Sequence, residues 1–444
     1  MISQIAFAIV AIGAMGFFTW NVMKIRSNIF LGRPLERKDQ AGKRWKTMIL
    51  VAFGQQKMFS RPIPAILHLC IYSAFILTNI ELMEIFFDGF SGAHRVFRPS
   101  LGGFYTFIVS FIEILSVLAL IATVIFLIRR NVTKLKRLKG VEMKGFPTRD
   151  ANMILIMEII LVACVLTMNG TDEVLYREGL SHASALGDGS FSFTVSSWLG
   201  PLLFGGMEAD TLHTLERIGW WGHIFMVFGF LNYLPYSKHL HIVLAFPNTY
   251  YSNLEAKGRL TNMESVTNEV KLMMDPDADP YAAPAEGAAE PQRFGAKDVQ
   301  DLNWKNLLDS YTCTECGRCT SSCPANQTGK LLSPRKIMMD TRDRLTEVGE
   351  GLRKNGKDYT DGKSLLGDYI TEEEIWACTS CNACVEECPV NIDPLSIIID
   401  LRRFLVMEES KIPTELAGML TNIDNNGAPW QFAQSDRQNW ANEE

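Results

Sequence analysis

Cysteine is almost missing from the first 312 of the 444 residues, where only Cys70 and Cys164 occur. The other eight fall in two eleven-residue groups, 313–323 and 378–388. That clustering excludes a disulfide-stapled secreted protein, whose cysteines would be spread along a short chain. Acidic residues are also scarce at first: residues 1–238 hold 16 Asp/Glu against 23 Lys/Arg, a net +7. Residues 239–444 lack long apolar runs, and there 33 acids face 20 bases, a net −13. The overall charge of −6 is thus the sum of two bodies of opposite sign, a pattern that argues against one globular enzyme.

What the first half has is apolar length. The runs 2–23, 63–87, 104–128 and 151–168, and the aromatic-rich 218–236, are each adequate for a membrane, whose core takes about 20 apolar residues to cross. The stretch 191–206 is apolar but broken by Gly and Pro, and reads as interfacial or re-entrant. Segments 24–61 and 129–149 carry ten and eight Lys/Arg, whereas 88–103 and 169–215 carry two and one. Positive loops stay in the cytoplasm. The expectation is five spans, N-terminus outside, with everything after Lys238 inside. No basic segment precedes the first run and no small-residue cleavage site follows it, so it reads as a retained helix.

Ionisable residues at membrane depth are costly and usually functional. His68 lies near the inner end of span 2, and His239 and His241 at the inner end of span 5. This is a geometry for bis-imidazole ligation of haem b within a helix bundle. His223 and His241 are 18 residues apart, five helical turns, so they are expected to share one face of span 5 at opposite leaflets. A matching span 2 ligand falls near residue 78, where Thr78 and Asn79 stand. Glu81, Glu84 and Glu113 occupy outer halves of spans. Glu84 reads as loop-edge or snorkelling, and Glu113 with His223 as a quinone or proton-exchange site. His94, His182 and His213 read as ordinary loop side chains, and Cys70 and Cys164 as apolar filler.

The cysteine groups are Cys-Thr-Glu-Cys-Gly-Arg-Cys-Thr-Ser-Ser-Cys-Pro from Cys313 and Cys-Thr-Ser-Cys-Asn-Ala-Cys-Val-Glu-Glu-Cys-Pro from Cys378. Both fit C-x2-C-x2-C-x3-C-P, the run that binds [4Fe–4S] clusters in pairs, its fourth thiolate reaching to the other cluster. Cluster one would take Cys313, Cys316, Cys319 and Cys388; cluster two would take Cys378, Cys381, Cys384 and Cys323. Structural zinc prefers paired knuckles set well apart. The surroundings read as helical: Ser333-Pro334 opens a helix to Leu345, Asp393-Pro394 opens one to Met407, and Thr371 with Glu374 forms a capping box. Residues 349–367 read as a surface loop and 275–295 as a semi-extended tether. Glu315, Glu386 and Glu387 would lower the cluster potentials or dock a basic partner, when they are not simply solvated. In the polar tail, Trp430 and Trp440 suggest docking, most simply onto the chain's own iron–sulfur module.

Residues 311–342, with Cys-Pro-Ala-Asn-Gln-Thr-Gly-Lys and Ser-Pro-Arg-Lys, resemble the iron–sulfur segment of heterodisulfide-reductase-like proteins. So do residues 374–407, with Glu-Ile-Trp-Ala-Cys and Asp-Leu-Arg-Arg-Phe-Leu-Val. The membrane half resembles the five-helix cytochrome b (gamma) subunit of respiratory nitrate reductase, best at Pro235-Tyr236-Ser237-Lys238-His239-Leu240-His241. That resemblance implies an inner haem on His68 and His241, with His239 as the less favoured ligand. It also implies an outer haem on His223 and a span 2 histidine, whose slot holds Thr78. Related proteins often continue into cysteine-rich CCG domains, and no CCG motif occurs here.

The resulting expectation is all-α: a five-transmembrane-helix bundle at 1–245, a linker at 246–300, a cytoplasmic ferredoxin-type domain at 301–410 and a tail at 411–444. It would be an electron-transfer subunit in a bacterial or archaeal cytoplasmic membrane. Electrons would pass between menaquinone or ubiquinone, haem b, two [4Fe–4S] clusters and a cytoplasmic CCG-domain iron–sulfur subunit, electron-transfer flavoprotein or other redox protein, with no role for nucleic acid. The partner reaction is disulfide reduction or the oxidation of a flavoprotein or organic acid. The rival functions are a membrane polyferredoxin for metal-centre assembly and an iron–sulfur redox sensor.

Overall fold

The computed structural model describes residues 1–133, 135–180, 191–276 and 293–442. Most of the tether at 275–295, and His182, lie outside the described residues. Helices and turns account for the regular structure, and no strand occurs among the described residues beyond two isolated bridges.

Four helical spans are long and apolar enough to cross a membrane: 28, 30, 29 and 32 residues. The first is α1 (Ile2–Ile29). The second is two helices in line, α2 (Pro62–Leu77) and α3 (Asn79–Ser91), hinged at Thr78. Asn79 Nδ2 donates back to the Phe75 carbonyl at 2.5 Å, a local side-chain bond of the kind that bends helices. The third, α4 (Gly103–Asn131), starts after Gly102 and ends on Arg129 and Arg130, cations favoured at a C-terminus. The fourth, α5 (Phe146–Arg177), carries Pro147 in its first turn, where the missing N–H costs nothing.

The re-entrant stretch forms α6 (Ser196–Phe204). It crosses α5 so closely that a Cβ on Gly200 would stand 2.4 Å from the Gly170 carbonyl. The fifth expected span lies in α7 (Ala209–Tyr233), which packs along α5. Its first turns carry Asp210, Glu216 and Arg217, and it is not among the four helices long and apolar enough to cross.

These helices are apolar outside and polar within. Phe104, Phe107, Phe111 and Ile121 of α4 are exposed, while Glu113, Asn169, Asp172 and Glu173 are buried. That inversion suits a lipid solvent and not water.

One expected alignment fails. α7 stops at Tyr233, where Pro235 cannot continue the ladder. Two 3-10 turns follow, and His241 opens a new helix, α8 (His241–Tyr250). His223 and His241 therefore do not share one helical face.

The cysteine module builds on α9 (Trp304–Thr312), α10 (Arg318–Ser322), α11 (Pro334–Asn355), α12 (Ala383–Glu387) and α13 (Pro394–Met407). Ser333 and Asp393 cap α11 and α13 through the amides of Lys336 and Ser396, and the Thr371–Glu374 capping box forms in both directions. α11 runs ten residues past Leu345, so the first part of the expected surface loop is helix. Its amphipathic pattern continues, burying Val348, Gly349 and Gly351. At Gly349 it presses on α1: a Cβ there would stand 2.0 Å from Asn28 Oδ1.

The module does not hang from a string. A single apolar core joins Ile25 and Ile29 of α1, Ala52, Leu240 and Ala245 to Leu307, Ile337, Ile397 and Leu401 of the module. α8 packs on α9, so this core crosses residue 245, where the sequence suggests a boundary.

Candidate metal centres

The two cysteine runs take the same backbone course. Counting each first cysteine as one, the third residue is left-handed in both (Glu315 φ 53°, Ser380 φ 57°), and so is the fifth (Gly317 φ 71°, Asn382 φ 59°). A left-handed residue with a side chain costs about 1–2 kcal/mol; three are held here because such alternation turns successive amides toward an anion. Ser380 N–H reaches Cys378 Sγ at 3.4 Å, and the amide of Glu315 serves Cys313 in the matching position. The sixth residue then starts a five-residue helix, α10 or α12, and the fourth cysteine closes it: Cys323 at φ −75°, ψ 119°, Cys388 at φ −71°, ψ 120°. α10 and α12 pack on each other.

This exchange crosses the sequence. One small cavity is lined by Cys313, Cys316, Cys319 and Cys388, the other by Cys323, Cys378 and Cys381, with Cys384 touching both. Tetrahedral zinc would draw its sulfurs to about 4 Å apart, yet among the described residues no three cysteine sulfurs gather within 4.8 Å. Each cavity offers at least the four thiols that a cubane takes. Burial pushes the Cys313 thiol up to about 12 and the Cys388 thiol to about 11. Loading metal must therefore displace protons.

The module sits on one end of the bundle through buried and half-buried polar contacts, and both basic loops reach it there. From 24–61, Asn28 donates to Tyr311 Oη at 2.8 Å, Lys57 to Asn391 at 3.1 Å, and Arg61 pairs with Glu387 at 3.0 Å. From 129–149, Glu142 takes Arg335 at 2.7 Å. Lys238 pairs with Glu315, which Arg342 also holds at 2.7 Å.

Of the acids expected to face solvent or a partner, Glu386 stays exposed, while Glu315 and Glu387 are engaged within the chain. Glu315 is buried between two cations, Glu387 holds Arg61, and Glu386 pairs with Lys257. The tail differs in the other direction: Trp440 is 78% exposed and does not pack on the module.

At this end lie three of the histidines. His68, seventh residue of α2, His239 and His241 are within electrostatic range of one another, and His68 is within range of Arg318 in the first cysteine run. The rings of His239 and His241 are 5.8 Å apart. Each Nδ1 is anchored: His68 on Gln55 Oε1 at 3.0 Å, His239 on Ser237 Oγ at 3.2 Å, His241 on the Lys238 carbonyl at 3.0 Å. An Nδ1–H held by a carbonyl leaves Nε2 with its lone pair, the arrangement of a metal-ligating imidazole. His68 and His241 fit a haem iron in donor type and tautomer, and His239, held by a hydroxyl, in donor type alone.

The other buried groups behave differently. Glu113 caps α6, accepting from the amides of Val195 and Ser196 at 2.9 and 3.1 Å and from Ser196 Oγ. Glu84 is buried and not at a loop edge, taking Tyr105 Oη at 2.7 Å and the Phe97 amide at 3.0 Å. His94 hydrogen-bonds Asp172. His223 is buried, and its Nδ1 has no partner among the described residues.

Sequence reasoning missed Arg318, whose only signal was its place inside a cysteine run. It also missed Glu158, the single acid in the middle of α5, which makes no hydrogen bond or ion pair among the described residues.

The 4Fe-4S dicluster domain family matches residues 309–392, which supports iron–sulfur clusters at the two cysteine groups. Over 99% of its length the chain is 30% identical to the "Probable iron-sulfur-binding oxidoreductase FadF" of Bacillus subtilis, of which it covers 61%. Over 92% it is 26% identical to the "EtfAB:quinone oxidoreductase" of Syntrophomonas wolfei, of which it covers 55%. Over 24% it is 35% identical to one subunit of the "Ferredoxin/F(420)H(2)-dependent CoB-CoM heterodisulfide reductase" of Methanosarcina acetivorans, covering 52% of that protein. No solved structure matches the chain significantly. The chain spans about three fifths of the length of the first two relatives. It is similar, then, to iron–sulfur oxidoreductases along nearly all of its sequence and carries a 4Fe-4S dicluster domain within it.

Proposed function

We propose that this chain is the membrane electron-transfer part of an oxidoreductase, linking a cytoplasmic redox partner to the quinone pool of a bacterial or archaeal cytoplasmic membrane. The observation that carries the reading is the meeting of two donor sets at one end of the bundle: imidazoles with anchored Nδ1 atoms beside the first cysteine quartet.

In this reading Cys313, Cys316, Cys319 and Cys388 hold one [4Fe–4S] cluster, and Cys378, Cys381, Cys384 and Cys323 the other. His68 and His241 hold a haem b, with His239 the alternative ligand. Haem and clusters supply one-electron carriers; the chain fixes their spacing, excludes water and sets their charge environment. Gln55 and the Lys238 carbonyl orient the two imidazoles. His223, with its free ring nitrogen, is assigned to a second haem or to the head group of menaquinone or ubiquinone, and Glu113 to proton exchange there. The partner is a CCG-domain iron–sulfur subunit or segment, an electron-transfer flavoprotein or another cytoplasmic redox protein. The similarity to a protein named EtfAB:quinone oxidoreductase favours the flavoprotein, and the similarity to part of a heterodisulfide reductase favours a CCG-type partner.

A pyridine haemochrome assay on the purified full chain tests this. Haem b is expected in wild type and lost in His68→Ala and His241→Ala while the iron–sulfur absorbance persists. Wild-type protein with clusters and without haem b would sink the quinone-coupled reading.

A further inference from the structure

The two cysteine runs share a backbone and differ in charge. The sixth residue is Arg318 in the first and Ala383 in the second. Arg318 is 2% exposed. Its guanidinium donates to the carbonyls of Lys57 and Met58, at 3.1 and 3.3 Å, and to Ser60 Oγ at 3.4 Å. None of these acceptors is charged. Glu387, the carboxylate within electrostatic range, is already paired with Arg61. A buried guanidinium without a carboxylate is costly unless another anion faces it. The sulfurs within range of Arg318 are those of Cys316 and Cys388, both in the first quartet, and they become anionic only as metal ligands.

The remaining charges around the first cavity do not cancel this cation. Arg335 is balanced by Glu142 at 2.7 Å. Glu315 is balanced by Lys238, and Arg342, which also holds Glu315, is balanced by Asp343 at 3.0 Å. Arg137 is within range of Cys316 and has no carboxylate partner among the described residues. No charged side chain lines the second cavity. At its rim Arg402 donates to the carbonyls of Ile375, Trp376 and Cys378, but there the acid Asp393 faces Cys384 of the same quartet, whereas no unpaired acid stands beside Arg318 and Arg137 among the described residues.

Adding an electron to a cluster adds negative charge, and a fixed cation in a low-dielectric surround favours that state. Resting on the reading that both quartets hold cubanes, we infer that Arg318 makes the first cluster the more oxidising of the two and so gives the chain a direction. One electron leaves the second cluster, which is oxidised, and one enters the first, which is reduced; no bond or proton changes in that step. The second cluster takes its electron from a reduced cytoplasmic donor. The first delivers toward the histidine end, where His68 is in electrostatic range of Arg318, and two such deliveries with two protons reduce one quinone. Arg318 is a positioning residue for charge, acting on the cluster through space.

The test is an EPR-monitored redox titration of the purified full chain, with the two signals assigned through Cys316→Ser and Cys381→Ser. The first cluster should titrate at the higher potential. Arg318→Gln should lower that potential and leave the second unchanged, Arg318→Lys should restore most of the difference, and Ala383→Arg should raise the second. Equal or reversed potentials in wild type, or an Arg318→Gln protein in which neither or both move, would overturn the inference. If Arg318→Gln loses its clusters, Ala383→Arg decides alone: an unmoved second cluster overturns it. Wild-type iron far below the roughly eight atoms that two cubanes require would instead refute the cluster reading itself.

Discussion

The two ends of the helical bundle both bury charge, and they use it in opposite ways. At the end away from the cysteine module, Arg95 spends its whole guanidinium on Asp172, Asn169 and Tyr105, at 2.7, 2.7 and 3.1 Å, and Tyr105 passes on to Glu84. Asp88 takes the amides of Arg95 and Val96. Even the cluster His94, Asp172 and Glu216, close enough together to hold a metal ion, is claimed by Arg95 and Arg217. At the module end, His68, His239 and His241 keep Nε2 free of hydrogen bonds among the described residues, Asp150 keeps Oδ1 free, and Arg318 faces only neutral acceptors and thiols. Unspent bonding capacity is not confined to the module end: Arg98 Nη1, three residues from Arg95, and His223 Nδ1 also lack partners among the described residues.

The contrast can be broken most severely at the far end. Asp172→Ala should leave Arg95 buried without its carboxylate and cost about 3–5 kcal/mol, read as the largest drop in thermal unfolding in detergent. Haem content per folded chain should stay near wild type. Lys238→Met should cost less, about 1–3 kcal/mol, because Arg342 still holds Glu315 and Asp150, whose ion pair with Lys238 is long at 3.7 Å, keeps the residue 238 amide. If it costs as much as Asp172→Ala, the two ends are not different in kind. Gly349→Ala should force α11 away from Asn28, loosening the seat of the module. Faster amide exchange at the α1–α11 contact, with little change at Arg95, would show it.

The smallest effect lies in the module's own ion pairs. The hydrogen bond from Arg344 to Asp361 holds that carboxyl down to about 2. A depressed acid contributes stability that is fully present above its ordinary 3.8 and is lost as pH falls through about 2. Asp361→Asn should therefore lower stability slightly at pH 5, and the gap from wild type should close by pH 2 in an acid titration followed by circular dichroism.

What the sequence disclosed was what is local along it. Apolar length announced four spans, because lipid rewards length within one segment. Cysteine spacing announced the 4Fe-4S dicluster match, because three of the four cysteines in each run line one cavity and lie within seven residues. Ser333, Asp393 and Thr371–Glu374 announced their helices, because a cap and its amide are three residues apart. Contacts between distant residues were hidden. Lys238 finds Glu315 across 77 positions and Asn28 finds Tyr311 across 283, and no periodicity encodes either pairing. The shared face of His223 and His241 was misread because five turns of spacing are meaningful only in an unbroken helix, and Pro235 lies between them. Glu84 was misread for the same reason as Glu315: a carboxylate near an element's end looks solvated until its partners from other segments are in view.

The core shared by Ile25, Ile29, Leu240 and Ala245 with the module bears on how such a protein can be inherited and assembled. A domain on a tether can be cut off, moved or replaced. This one has part of its interior supplied by the ends of membrane helices, so a version released at residue 301 would expose an apolar floor in water. The module of this chain should therefore need its own bundle to stay dispersed in water, even though the heterodisulfide reductase subunit that it resembles matches only 24% of the chain.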